Sequence, residues 1–221
     1  MSARILLTGF KPFGGLAINP TEQLMQALAA SADALPGVEI ETLVLDVDYV
    51  LAEKQFREAL LRLRPDAILS FGVSGGTDEL CLERIAVNLD DAALPDSGGQ
   101  TRSGTRIVEG GPVGYWATLD LERLYAALVE AGLPVRFSNH AGAYLCNHLF
   151  YYGLHLIQAL GLETPMGFVH VPPLPEQVRE GGRAKVGMAL GTLAEAARVC
   201  VREIAPVIAR DLACPDVVSG L

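Results

Sequence analysis

Three residues in the 221-residue chain have types and settings that suit nucleophilic catalysis: Cys146, His170 and Glu83. Cys146 stands in SNHAGAYLCNHLF, where small and polar residues give way to an apolar helix. Leu145, Leu149, Tyr152, Leu156 and Leu160 recur at helical spacing and form that helix's core stripe. Cys146 falls beside the stripe in about the first turn, where unpaired amides favour a thiolate and are able to hold an oxyanion. The plainer reading is a small buried thiol. Cys200 fits that reading, because it lies on the stripe Leu193, Ala197, Cys200, Ile204, Ile208, while Cys81 and Cys214 sit in no motif. His170, in MGFVHVPPLPEQ, ends an apolar strand that prolines turn at once. A base there is held rigidly near an open face; a structural histidine is the alternative. Glu83 shares a strand face with Cys81, Ile85 and Val87. A carboxylate on such a face needs a partner, either an arginine or a histidine whose Nδ1–H it accepts. Together the three supply nucleophile, base and orienting acid. His148 and His155 lie on one helix face off the stripe, at a spacing unsuited to a metal pair, and His140 is a loop residue and the rival base.

The elements that must position these residues alternate between strand and helix. Arg4–Thr8, Val38–Val47, Asp66–Phe71, Leu82–Leu89, Val135–Phe137 and Met166–Val171 read as strands. Thr21–Leu35, Leu51–Leu63, Leu119–Ala131, a stretch from about Gly142 to Leu160 and a C-terminal stretch of roughly Gly187–Leu212 read as helices. Pro65 closes the second helix and Pro206 falls inside the last. Pro95–Pro112 is a long glycine-rich loop, of a length that is usually functional or mobile. The pattern predicts one α/β domain over residues 1–221, a three-layer α/β/α sandwich around a mixed but largely parallel central sheet. Ligands of such sheets sit outside the carboxyl ends of the strands, where the three residues fall.

Composition narrows the partners. Half the residues are apolar, 19% are charged and the net charge is −9, which suits a sizeable core and argues against nucleic acid. The four cysteines form no CxxC pair, so a structural zinc site is unsupported and no metal or organic cofactor is expected. The N-terminal MSARILLTGF is too short in apolar length for an export signal, and no stretch reads as a membrane span. A reducing cytoplasm is therefore the expected setting.

Four ordered motifs go further. LLTGFKPFGG with INPTEQ, FGVSGG followed by LERIAVNLDDAALPD, SNHAGAYLCNHLFYYGLH, and GFVHVPPLPEQ resemble the pyroglutamyl peptidase I, or pyrrolidone carboxyl peptidase, family of cysteine peptidases. The resemblance implies hydrolysis of the amide bond after an N-terminal pyroglutamyl residue through a thioester, with Cys146, His170 and Glu83 as nucleophile, base and acid. It implies that Phe10 and Phe13 pack on the lactam ring and that Tyr144 and Leu145 line the pocket. Asn19 would hold the loop or the ring's polar edge. It also implies peptide substrates and a homo-oligomer, often a tetramer. Two positions depart from the family: Val73 stands where glutamine is usual, and Ala93 where arginine is usual. The main chain of Val73 is still able to bond a lactam, and Arg102 or Arg106 could supply the missing cation. Two other readings stand beside this one. One is a non-catalytic small-ligand binding module on the same fold with a degraded site. The other is an anion or nucleotide binder built on TGFKPFGG, a loop that lacks both GxGxxG and GK[ST].

Overall fold

In a computed structural model, which describes residues 2–30, 36–178 and 186–213, the chain winds around a central sheet. The elements in order are β1 (Ala3–Phe10), α1 (Pro20–Ala29), β2 (Val38–Leu45), α2 (Tyr49–Leu63), β3 (Ala67–Val73), β4 (Leu80–Glu83), β5 (Ile85–Val87) and β6 (Asp90–Ala92). Then come β7 (Arg102–Thr105), β8 (Gly114–Trp116), α3 (Leu121–Glu130), β9 (Val135–Ser138), α4 (Leu145–Ala159), β10 (Met166–Val171), a 3₁₀ turn (Pro175–Gln177) and α5 (Leu190–Ala213).

Among the described residues the main sheet has six strands in the order β2-β1-β3-β10-β4-β9. β2, β1, β3 and β10 run parallel; β4 pairs antiparallel with β10 and parallel with β9, so the sheet is mixed. Alternation along the strands sends Ile5, Leu7 and Leu69 into a core shared with α1, α3 and α5. It sends Leu6, Ile68 and Phe168 to the opposite face, against α2 and α4. Helices on both faces make the three-layer sandwich expected from the sequence.

Element ends follow local chemistry. Asp48 caps α2 through a bond from the Leu51 amide, so that helix begins at Tyr49 rather than Leu51, and Arg64 closes it at φ 47 before Pro65. Asn19 caps α1, with Pro20 at its start. That helix ends at Ala29; the expected extension over Ser31–Leu35 lies outside the described residues, as does Cys214. α4 starts at Leu145, not Gly142, which has φ 82 and cannot open a helix.

Two sequence expectations change. Leu82–Leu89 is not one strand. β4 stops at Glu83, and after Arg84 the chain leaves the main sheet as β5, which pairs with β8. Beyond that break the buried residue is Ala86, while Ile85 and Val87 are half-exposed. Pro95–Pro112 is not structureless: β7 pairs back on β6, buried Asp96 accepts from the amides of Tyr49 and Gln100, and Asn88 Oδ1 accepts from those of Ile107 and Val108. Polar side chains that bond loop backbone do the work that hydrophobic periodicity does elsewhere. Among the described residues no helix is long and apolar enough to cross a membrane.

Candidate active site

The site forms where β3, β10 and β4 lie side by side. Register sets His170 of β10 opposite Gly72 of β3 on one side and opposite Cys81 of β4 on the other. Glu83 lies opposite Phe168, two residues from His170, and so on the same face of the sheet. From there the Glu83 carboxylate reaches His170 Nδ1 at 2.7 Å. A carboxylate only accepts, so Nδ1 carries a proton, and Nε2 is the nitrogen left for the Cys146 sulfur. Glu83 is 2% exposed and His170 is 7% exposed, so the pair is shielded from water. Of the two partners weighed for Glu83 the structure supplies the histidine; Arg84 turns instead to Glu122 and the ring of Phe137.

Cys146 arrives from the helical layer above. It is the second residue of α4, whose first amides have no side-chain cap among the described residues. Gly72 makes the approach possible: a Cβ there would lie 2.7 Å from Cys146 Sγ and 2.8 Å from Phe168 Cζ. The thiol thus occupies the space above Gly72, beside His170. Burial alone would lower the pKa of His170. The negative charge and hydrogen bond of the Cys146 sulfur, with the Glu83 carboxylate, override it and push the value up to about 10. Cys146 is half-buried, whereas Cys81 and Cys200 are buried; burial pushes both of their thiols up, Cys200 to about 12. His140 is exposed and accepts the Gly142 amide through Nδ1, outside this arrangement.

A small cleft opens onto the thiol. Phe10, Phe13, Asn19, Val47, Val73, Tyr144, Leu145 and Cys146 line it, so all six proposed pocket residues meet there. Val47 was not expected; it ends the strand pattern of β2, which was its only sequence signal. Phe13 tilts against Tyr144 with centroids 6.1 Å apart. Asn19 is spent on the loop: Nδ2 donates to Lys11 O, while Oδ1 accepts from the amide and hydroxyl of Thr21. The Tyr144 hydroxyl donates to Pro95 O, and burial raises its pKa to about 12. The walls are therefore aromatic and aliphatic, with the side-chain polar groups of Asn19 and Tyr144 already engaged.

Ala93 is exposed just past β6. Of the two arginines weighed as a replacement cation, Arg102 is already engaged, paired with Asp90 at 2.8 Å. A larger cavity at the other end of β3 and β10, lined by Pro65, Trp116, Thr164 and Pro165 among others, contains no cysteine or histidine.

The model of the pyroglutamyl peptidase family matches residues 3–206. The chain is 35% identical over 206 residues to pyrrolidone-carboxylate peptidase 1 of Caldanaerobacter subterraneus subsp. tengcongensis, covering 93% of this chain and all of that one. It is 36% identical over 199 residues to the pyrrolidone-carboxylate peptidase of Thermococcus onnurineus, covering 90% and 97%. Among solved structures it resembles a mutant pyrrolidone carboxyl peptidase from Pyrococcus furiosus, with TM-score 0.87, 33% identity and coverage of 93% and 99%. It likewise resembles Bacillus amyloliquefaciens pyroglutamyl peptidase I, with TM-score 0.86, 31% identity and coverage of 93% and 98%.

Proposed function

The chain belongs to the pyroglutamyl peptidase family and is a hydrolase of that type, and from this premise we propose a route through a thioester on Cys146, with His170 as base and Glu83 as the orienting acid. The observation that carries the reading is that Cys146 lies beside the Glu83–His170 pair and also lines a small apolar cleft.

His170 Nε2 takes the proton of Cys146, and the sulfur attacks the carbonyl carbon of the pyroglutamyl residue. The open amides at the start of α4 stabilise the oxyanion. The C–N bond breaks as His170 returns the proton to the leaving amine, and the pyroglutamyl group stays on sulfur as a thioester. Water deprotonated by His170 then attacks, the C–S bond breaks, the thiol recovers its proton and pyroglutamate leaves. Phe10, Phe13 and Tyr144 offer flat faces to the lactam ring. The ring's N–H and C=O need main-chain partners, because the side-chain polar groups of Asn19 and Tyr144 are engaged. β3 runs on to Val73, past its last rung with β1 at Thr8 and Ser70, which supports Val73 backbone in that role despite the absent glutamine. Peptides with an N-terminal pyroglutamate are the substrates of this reading. The chain acts as one domain in the cytoplasm, as a homo-oligomer.

The test is release of a fluorescent amine from its pyroglutamyl amide, with the matching prolyl amide as control. Wild type cleaves the first and rejects the second by on the order of 10⁴, because a proline ring lacks the lactam carbonyl and carries a charged amine. Cys146→Ala removes turnover and keeps the fold. Comparable rates on both amides, or near-wild-type turnover by Cys146→Ala, would sink the reading.

A further inference from the structure

A charged cluster behind the cleft takes no part in the chemistry above. His148 is fully buried, yet its Nδ1 lies 2.9 Å from Asp90 Oδ2 and its Nε2 lies 3.0 Å from Glu53 Oε1. Arg102 donates to the same Asp90 oxygen at 2.8 Å and lays its guanidinium 4.1 Å from the centroid of the Tyr49 ring. Tyr49, the first residue of α2, meets His148 edge-on at 4.9 Å and Tyr144 edge-on at 6.0 Å. Tyr144 is a wall of the cleft, and its carbonyl accepts the His148 amide at 2.9 Å. The cluster therefore touches the cleft from behind through one aromatic ring and one main-chain bond.

Stability alone is a weak reason for such a cluster. Buried ion pairs lose much of their attraction to desolvation, and packed apolar residues often serve as well. Here Asp90 Oδ1 and the Tyr49 hydroxyl are buried with no hydrogen-bond partner among the described residues, a further cost. What the cluster does supply is fixed geometry. The guanidinium bonds Asp90 Oδ2 through Nη1 and sits over the Tyr49 ring, a pair of contacts that the compact ammonium of lysine cannot copy together. Tyr49 in turn meets both His148 and Tyr144 with the one ring.

We propose that Arg102, acting through Tyr49, is a positioning residue that fixes Tyr144 and thereby sets the affinity of the cleft for the pyroglutamyl ring. This rests on the reading of that cleft as the ring's seat. The experiment uses full-length wild type, Arg102→Met and Arg102→Lys. Two quantities are read for each: kcat and KM on a pyroglutamyl amide, and the concentration of 2-pyrrolidone that halves alkylation of Cys146 by iodoacetamide, followed by mass on the Cys146 peptide. Melting temperature reports the fold. Arg102→Met is expected to raise both KM and the half-protecting concentration about tenfold, with kcat within about threefold of wild type. Arg102→Lys is expected to recover less than half of that loss on a logarithmic scale. A lower melting temperature with KM and protection unchanged would make Arg102 merely structural and overturn the proposal, as would full recovery by lysine. Wild type that is protected in an Arg102-dependent way yet turns nothing over would refute the activity and uphold the positioning role. Wild type that turns the amide over but is not protected by 2-pyrrolidone would leave the activity standing and overturn this cleft as the ring's seat, and the positioning role with it.

Discussion

Glu83 gives His170 one oxygen at 2.7 Å, and its other oxygen is buried without a hydrogen-bond partner among the described residues. The imidazole is thus the group that answers its charge, and the carboxylate favours the protonated ring. Burial works the other way, but the Cys146 sulfur and Glu83 outweigh it and hold His170 near 10. In the proposed reaction the ring must carry a proton to the leaving amine, so the alkaline limb of activity follows this value. Glu83→Gln keeps a polar contact but cannot stabilise an imidazolium. The variant is expected to turn over on the order of 10²-fold more slowly, with its alkaline limb moved to lower pH. The pH profiles of kcat/KM for wild type and variant measure both; coincident limbs would show that Glu83 does not govern the base.

At the scale of elements, the decisive contact is the start of α4 against the end of β3. Its closeness depends on Gly72 having no side chain, since an added Cβ would be 2.7 Å from Cys146 Sγ and 2.8 Å from Phe168 Cζ. The sulfur is the more easily displaced of the two, because Phe168 is buried between layers. Gly72→Ala is therefore expected to lower kcat by about 10²-fold, the usual consequence of an ångström-scale misplacement of a reacting group. The same overpacking costs about 1–3 kcal/mol of stability. Rates per folded molecule and chemical unfolding separate the two effects, and unchanged kcat would refute the seating of the thiol over Gly72. Asn147, the next residue of α4, fastens the other side of the site: its amide group bonds the main chain of Val87 and Leu89, tying β5 to the helix that carries Cys146.

For the molecule as a whole, His148 couples stability to pH. Burial would lower its pKa, but the hydrogen bonds that the ring donates to Asp90 and Glu53, and the charges of those carboxylates, raise it above the ordinary 6.5. A histidine whose folded value exceeds its unfolded one stabilises fully below about 6.5 and loses that contribution as pH rises through the folded value. Unfolding free energy should fall from pH 6 to pH 9, and His148→Gln should flatten the slope; equal slopes would exclude His148 as the source. The sequence by itself determined the alternating elements, the three-layer fold and the chemical types at the site, because period and punctuation are local. The helix start of Cys146 was legible, as were His170 and Glu83 as polar groups on apolar strands, and the residues lining the cleft, Val47 apart, from the resemblance. The break at Arg84 was not legible, because Cys81 to Val87 keeps an unbroken alternation while the chain changes sheets. Nor were the thiol's seat over Gly72 or the partners of His148 on α2 and β6. Those depend on strand register and on which helix packs over which strand, contacts between residues far apart in the chain, and these only the tertiary structure decides.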